Sequence, residues 1–207
     1  MVKEGFPFVI IPLIIGLSLV VFGLWVIAAV VFLIAAFMAY FFRDPARAIP
    51  AGDNLILSAA DGRVTRIEIN ETGKLVSVFL SPLNVHINRS PITGIIEKIE
   101  YIPGNKGPAT NDKASLLNER NSLTIVGEQM TVVCTQIAGI LARRIVCWNK
   151  EGDNLESGEK FGMIKFGSRT DLLMPSNVEV RVKVGDKVTG GETIIASLPE
   201  NNGNGRN

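Results

Sequence analysis

The sequence predicts an all-β domain, a sandwich or barrel, preceded by an N-terminal transmembrane helical hairpin. Three observations carry this expectation. No charged residue occurs from Phe8 to Phe42. Beyond Pro50, short segments of period-two alternation are broken by Gly, Asn, Asp and Pro, as strands joined by tight turns would be. The alternation is clearest in Val178-Glu179-Val180-Arg181-Val182-Lys183-Val184, apolar on one face and charged on the other.

The apolar run is roughly 35 residues long, whereas the core of a signal peptide needs only about 7 to 15. As one helix it would measure about 50 Å, against a hydrocarbon layer of about 30 Å. Two short spans, or a re-entrant hairpin, fit better, with the break at Gly23. Lys3 precedes the run, and Arg43 and Arg47 follow it. A hairpin returns both basic flanks to the cytoplasmic side, in keeping with the positive-inside tendency. The expected organisation is a membrane anchor over residues 1–45, a β domain over 46–200 and a disordered Gly/Asn tail over 201–207. The protein is expected at the cell membrane, with its β domain on the cytoplasmic side.

Within the β domain the candidate strands are Asn54–Ser58, Gly62–Asn70, Lys74–Leu80, Gly94–Ile102, Asn121–Gly127, Met130–Ile137, Arg143–Cys147, Gly162–Phe166, Asp171–Met174, Val178–Val182 and Glu192–Ala196. Asp112–Asn118 and Ala138–Ala142 read as short turns or helices. The stretch from Val182 to Thr193, with its Gly185-Asp186 turn, resembles the closing hairpin of biotinyl and lipoyl carrier domains. No lysine has the flanking residues of the modifiable lysine in those carriers, so the likeness speaks to fold and not to a carrier role.

Composition removes several function classes. The net charge of +1 gives no electrostatic basis for a nucleic-acid partner. Cys134 and Cys147 lie in apolar, strand-like runs and read as buried reduced thiols. A single histidine rules out a multi-histidine zinc centre, and no metal is expected.

Three places carry chemistry. His86 is bracketed by Pro82 and Pro91 in a stiff loop, beside Asn84, Asn88 and Arg89. An imidazole is the natural general acid or base near neutral pH, although a lone histidine in a β domain is more often structural. Asp61 stands before Gly62, a pair that by itself reads as a turn. Gly167-Ser168 is also an ordinary turn pair, but the glycine carbonyl has no side chain shielding it from the serine hydroxyl. A strained bond there permits an N-to-O acyl shift; elimination of the resulting ester and hydrolysis of the dehydroalanine would leave a pyruvoyl group.

Four segments together resemble the phosphatidylserine decarboxylase family in its short prokaryotic form. They are Tyr40-Phe41-Phe42-Arg43-Asp44-Pro45, Ser58-Ala59-Ala60-Asp61-Gly62, Ser81-Pro82-Leu83-Asn84-Val85-His86-Ile87-Asn88-Arg89 and Lys165-Phe166-Gly167-Ser168-Arg169. Asn118-Glu119-Arg120-Asn121 is a further match. Each is weak alone; their order and spacing over almost the whole chain are specific.

The resemblance implies self-cleavage between Gly167 and Ser168. A large chain, 1–167, would remain with a small chain, 168–207, whose N-terminus is a pyruvoyl cofactor made from Ser168. It implies a serine-protease-like trio of Asp61, His86 and Ser168 for that step. It also implies decarboxylation of phosphatidylserine to phosphatidylethanolamine through a Schiff base on the pyruvoyl group, with His86 protonating the product carbon. Arg89, Asn84 and Arg169 are candidate supporting or substrate-binding residues. Arg43, Arg47 and Arg63 are candidates for attracting anionic headgroups, or plain solvated positions. Longer members carry two histidines spaced H-x-x-H; here His86 matches the first and Arg89 stands at the second. The expected partner is a membrane phospholipid, and a homo-oligomer stays open. Three alternatives remain at this point: the same chemistry on an archaeal ether lipid (an archaetidylserine decarboxylase), a pyruvoyl enzyme acting on a soluble amino acid, and a non-enzymatic membrane-tethered biotinyl-like module.

Overall fold

The computed structural model describes residues 1–104, 107, 117–139, 144–165 and 167–199. The chain divides into two units, Met1–Ala46 and Arg47–Asn207. Phe166, most of Asp112–Asn118, part of Ala138–Ala142 and the tail from residue 201 fall outside the described residues.

The first unit is a pair of apolar helices, α1 (Phe6–Val21) and α2 (Trp25–Phe41). The break falls at Gly23, whose φ of 73° lies in the left-handed region. The Val2 N–H donates to the Phe42 carbonyl at 3.1 Å, bringing the start and end of the pair together as an antiparallel hairpin. Lys3–Val21 is long and apolar enough to cross a membrane, and α2 is a shorter apolar helix. Ile14, Leu17, Val26 and Leu33 are exposed. Such apolar surface around a helix suits lipid rather than water.

The second unit is all-β. Its strands are β1 (Leu55–Leu57), β2 (Gly62–Asn70), β3 (Gly73–Leu80), β4 (Ile87–Arg89), β5 (Gly94–Ile102), β6 (Arg120–Val126) and β7 (Thr131–Ala138). They continue with β8 (Ile145–Cys147), β9 (Asn154–Leu155), β10 (Lys160–Ile164), β11 (Ser168–Met174), β12 (Glu179–Val180), β13 (Lys187–Val188) and β14 (Ile194–Ser197). An eight-stranded sheet in the order β13-β2-β3-β11-β7-β6-β5-β9 curls as a half-barrel. Two three-stranded sheets, β1-β14-β12 and β4-β10-β8, complete the fold.

Alternation places Val64, Val76, Val78, Leu80, Leu123, Ile125, Val132, Cys134, Leu172 and Met174 on the inner face of the large sheet. Phe161, Ile195 and Ala196 from the smaller sheets pack into the same core. Gly62 opens β2, as in the expected strand Gly62–Asn70: a Cβ there would sit 2.1 Å from the Phe79 carbonyl oxygen, so the approach to β3 requires glycine. Both cysteines are free. Burial holds the Cys134 thiol far above its usual range and pushes Cys147 up as well, keeping both protonated.

Strands β9 and β13 fall where no strand was expected, and three further elements differ from expectation. The stiff loop around His86 ends in a strand, β4, because β10 pairs with it. Strand β11 begins at Ser168 and not at Asp171, since Leu80 and Ala138 already flank Ser168. The alternating run from Val178 yields only β12. Beyond it the backbone turns, with Gly185 N–H bonded to the Val64 carbonyl at 2.8 Å and Val64 N–H to the Asp186 carbonyl at 2.9 Å. Alternation marks a two-faced segment, but pairing decides whether that segment is a strand.

Candidate active site

The Gly167-Ser168 bond lies where the chain leaves one sheet and enters another. Lys165 follows the end of β10, and Ser168 begins β11, a central strand of the large sheet. Gly167 makes the turn with φ at 59°. A residue with a Cβ would lose about 1–2 kcal/mol in that conformation. Ser168 is fully buried, and its Oγ has no hydrogen-bond partner among the described residues. An unpaired buried hydroxyl costs about 1–3 kcal/mol, which asks for an explanation.

His86 is brought to this bond by the loop that leaves β3. Leu80, the cross-strand partner of Ser168, is the last residue of β3, so the loop starts in the row of the serine. Ser81 and Asn84 fix its shape: Asn84 Oδ1 accepts from the Ser81 N–H at 2.9 Å and from the Ser81 hydroxyl at 2.7 Å. The end of β10 fixes its exit, with Ile164 N–H donating to the His86 carbonyl at 3.1 Å. The buried imidazole is oriented at both nitrogens. Nδ1 lies 2.9 Å from the Asn84 carbonyl oxygen, and the Gly167 N–H donates to Nε2 at 3.4 Å. A carbonyl only accepts, so Nδ1 carries the proton and Nε2 presents its lone pair to the Gly167 N–H, one residue before Ser168.

The other expected side chains have partners of their own. Asp61 accepts two hydrogen bonds from Arg47, at 2.8 and 2.9 Å, and one from the Gly190 N–H at 2.8 Å. The place that a triad aspartate would take, at Nδ1 of His86, is held by the Asn84 backbone carbonyl. The structure thus joins His86 to Asn84 and to Gly167, the residue before Ser168, and engages the Asp61 carboxylate with Arg47 and Gly190. Arg89 donates to the Gly158 carbonyl at 2.9 Å, and a Cβ on Gly191 would crowd its Cδ. Arg169 points to the opposite face of β11 from Ser168 and pairs with Asp171 at 2.8 Å.

A buried polar chain beneath the site went unread in the sequence. Asn121 donates to Gln136 at 3.1 Å, Gln136 to Asn88 at 2.9 Å, and Asn88 to the Thr170 hydroxyl at 3.0 Å and the Ala59 carbonyl at 3.3 Å. It links β4, just past His86, to β11, just past Ser168. The available signal was Gln136, a polar residue at an inward position between Cys134 and Ala138.

A family model described as phosphatidylserine decarboxylase matches residues 34–196. The chain belongs to that family. A phosphatidylserine decarboxylase proenzyme from Burkholderia pseudomallei (strain 1106a) is 42% identical over 205 residues, covering 96% of this chain and 95% of its own. A phosphatidylserine decarboxylase proenzyme from Ehrlichia ruminantium (strain Gardel) is 44% identical over 208 residues, covering 96% of this chain and 91% of its own. The match takes in both His86 and Gly167-Ser168.

Proposed function

We propose that this member of the phosphatidylserine decarboxylase family is a membrane-anchored proenzyme that cuts itself between Gly167 and Ser168 and converts phosphatidylserine to phosphatidylethanolamine and CO2. One observation carries the reading: a buried Ser168 hydroxyl, without a partner among the described residues, beside a left-handed glycine whose N–H already meets the lone pair of His86 Nε2.

In this reading His86 Nε2 takes the hydroxyl proton as Ser168 Oγ attacks the Gly167 carbonyl. The amide becomes an ester and frees the serine nitrogen. Loss of the Ser168 α-proton expels the Gly167 carboxylate, and water then replaces the nitrogen, released as ammonia, to leave a pyruvoyl group at residue 168. The fit rests on Ser168 itself, whose buried hydroxyl has no hydrogen-bond partner among the described residues. The pyruvoyl group supplies an electron sink for the departure of CO2. The Asn84 carbonyl keeps the His86 proton on Nδ1, so that Nε2 first accepts a proton and later delivers one to the substrate carbon.

The two products of the cut would stay together. The small chain, 168–207, contributes β11, which pairs along seven residues with β3 and six with β7. The antiparallel apolar pair at the N-terminus supports an anchor that enters and leaves on one side, with the cytoplasmic side favoured by Lys3, Arg43 and Arg47. The names of the relatives favour the diacyl serine lipid over an ether lipid.

Intact mass of the full-length protein beside Ser168→Ala tests the reading. Fragments 1–167 and 168–207, the second with a pyruvoyl mass at its N-terminus, are expected from wild type and a whole chain from the variant. An uncut wild-type chain would remove the cofactor and with it the activity.

A further inference from the structure

We propose that the Ser81-Pro82-Leu83-Asn84 turn sets the tautomer of His86, with the side chains of Asn84 and Ser81 as its positioning residues. The tautomer stands on the geometry alone; its effect on the rate of self-cleavage rests on the proenzyme reading. The turn takes the place at Nδ1 that the resemblance gives to the Asp61 carboxylate, which instead accepts from Arg47 and from the Gly190 N–H.

An acceptor at Nδ1 is what the chemistry needs. In free neutral histidine the proton prefers Nε2, and an imidazole in that form has no lone pair there to offer an N–H or a hydroxyl. Which nitrogen is protonated is set by the hydrogen bonds the ring makes. Two contacts favour the Nδ1 form here. The Gly167 N–H reaches Nε2 at 3.4 Å, longer than is usual for such a bond, whereas Nδ1 lies 2.9 Å from the Asn84 carbonyl oxygen. The shorter contact is the stronger of the two. It is made by a main-chain carbonyl, so whatever fixes the Asn84 peptide fixes the proton.

The turn is built to fix that peptide. The Asn84 N–H donates to the Ser81 carbonyl at 2.9 Å, closing a four-residue turn with Pro82 at the second position, where its fixed φ is favoured. The side chain then reaches back: Asn84 Oδ1 accepts from the Ser81 N–H at 2.9 Å and from the Ser81 hydroxyl at 2.7 Å. Asn84 is therefore held to Ser81 through its own N–H and again through its amide oxygen, and its carbonyl is left directed at the imidazole. Ser81 in turn follows Leu80, the last residue of β3, so the clamp is anchored to the sheet. An alanine at position 84 would keep the carbonyl but lose both bonds that Oδ1 makes. An aspartate would keep an acceptor for both Ser81 donors.

His86 is the single histidine of the chain, so isotope-labelled histidine reports its tautomer directly, provided the protein carries no polyhistidine tag. The test uses full-length protein in detergent. In the Ser168→Ala background, which keeps the chain whole, ring-nitrogen chemical shifts at alkaline pH should place the proton on Nδ1. Adding Asn84→Ala should move it wholly or partly to Nε2, and adding Asn84→Asp should leave it on Nδ1. With Ser168 in place, Asn84→Ala should be cut into 1–167 and 168–207 about tenfold more slowly than wild type, a part of what a positioned base contributes. Asn84→Asp should recover most of that rate. Should Asn84→Ala fail to fold, as judged by its Tm, Ser81→Ala removes only the hydroxyl bond and should shift proton and rate in the same direction, by less. A proton that stays on Nδ1 in folded Asn84→Ala, or in Ser81→Ala where it stands in, overturns the proposal whatever the rate. So does an Asn84→Asp chain that is cut as slowly as Asn84→Ala. A wild-type chain that never cuts itself, with the proton moving as expected, overturns the self-cleavage reading and not the positioning role.

Discussion

The two faces of β11 handle polar groups in opposite ways. On the outer face Arg169 and Asp171 cancel each other at 2.8 Å, and Leu173 is 47% exposed. On the inner face Leu172 and Met174 join the core, and Thr170 is tied to Asn88. Ser168 alone, at the end of that inner row, keeps a buried hydroxyl without a partner among the described residues. The outer face neutralises its charges where they stand. The inner face bonds its polar groups into a chain and leaves the Ser168 hydroxyl unsatisfied among the described residues, next to the left-handed Gly167.

Removing the base should break this arrangement most. His86→Ala takes away the acceptor facing Gly167-Ser168 while leaving the sheet pairing of β11 intact. General-base assistance is worth about 100-fold or more. The expected outcome is a chain that stays largely uncut over the time in which wild type matures, read by gel or intact mass. Maturation at the wild-type rate would return His86 to a structural role and leave Ser168 to be activated by another group.

Cutting the inner polar chain should come next. Asn88→Leu deprives Gln136 of its acceptor and Thr170 of its donor, while the Ala59 carbonyl keeps only the Arg89 N–H. Several buried groups left unpaired should cost about 3 kcal/mol. For a chain of this size that corresponds to a fall in Tm of about 6–12 °C. Because the chain links the segment after His86 to the segment after Ser168, processing should slow together with the loss of stability. Adding Gln136→Leu removes the orphaned amide and should recover part of the Tm. A single variant as stable as wild type would show that the position of β4 is held by its pairing with β10 and not by the polar chain.

The main outlines were legible in the sequence because they rest on one-dimensional patterns. The uncharged run and Gly23 gave the apolar helix pair, and period two gave most of the strands. Ser168 and His86 were readable as a pair only through motif order, since 81 residues separate His86 from Gly167 and nothing local brings them together. What stayed hidden depends on which strand lies beside which. The orienting partner of His86 is a backbone carbonyl, and no side chain advertises it. The Asp61–Arg47 ion pair joins segments on either side of β1, and the short motif around Asp61 gives no hint of it. Arg169 looked like a site residue because it adjoins Ser168, yet adjacent residues on a strand face opposite ways.

The outer pair offers the smallest and sharpest test of the contrast. Its side chains are 7% and 12% exposed, and the second oxygen of Asp171, Oδ1, has no hydrogen-bond partner among the described residues. Such a pair bears desolvation that its single good contact offsets only in part. Arg169→Met alone leaves a buried carboxylate without its counter-charge and should cost about 3 kcal/mol or more. Arg169→Met with Asp171→Leu removes both charges and should regain most of that loss, leaving Tm within a few degrees of wild type. If the double variant stays as unstable as the single one, the guanidinium has a second structural task beyond balancing Asp171. If its Tm recovers while maturation does not, Arg169 acts on the neighbouring bond through the strand, and the two faces of β11 are coupled rather than separate.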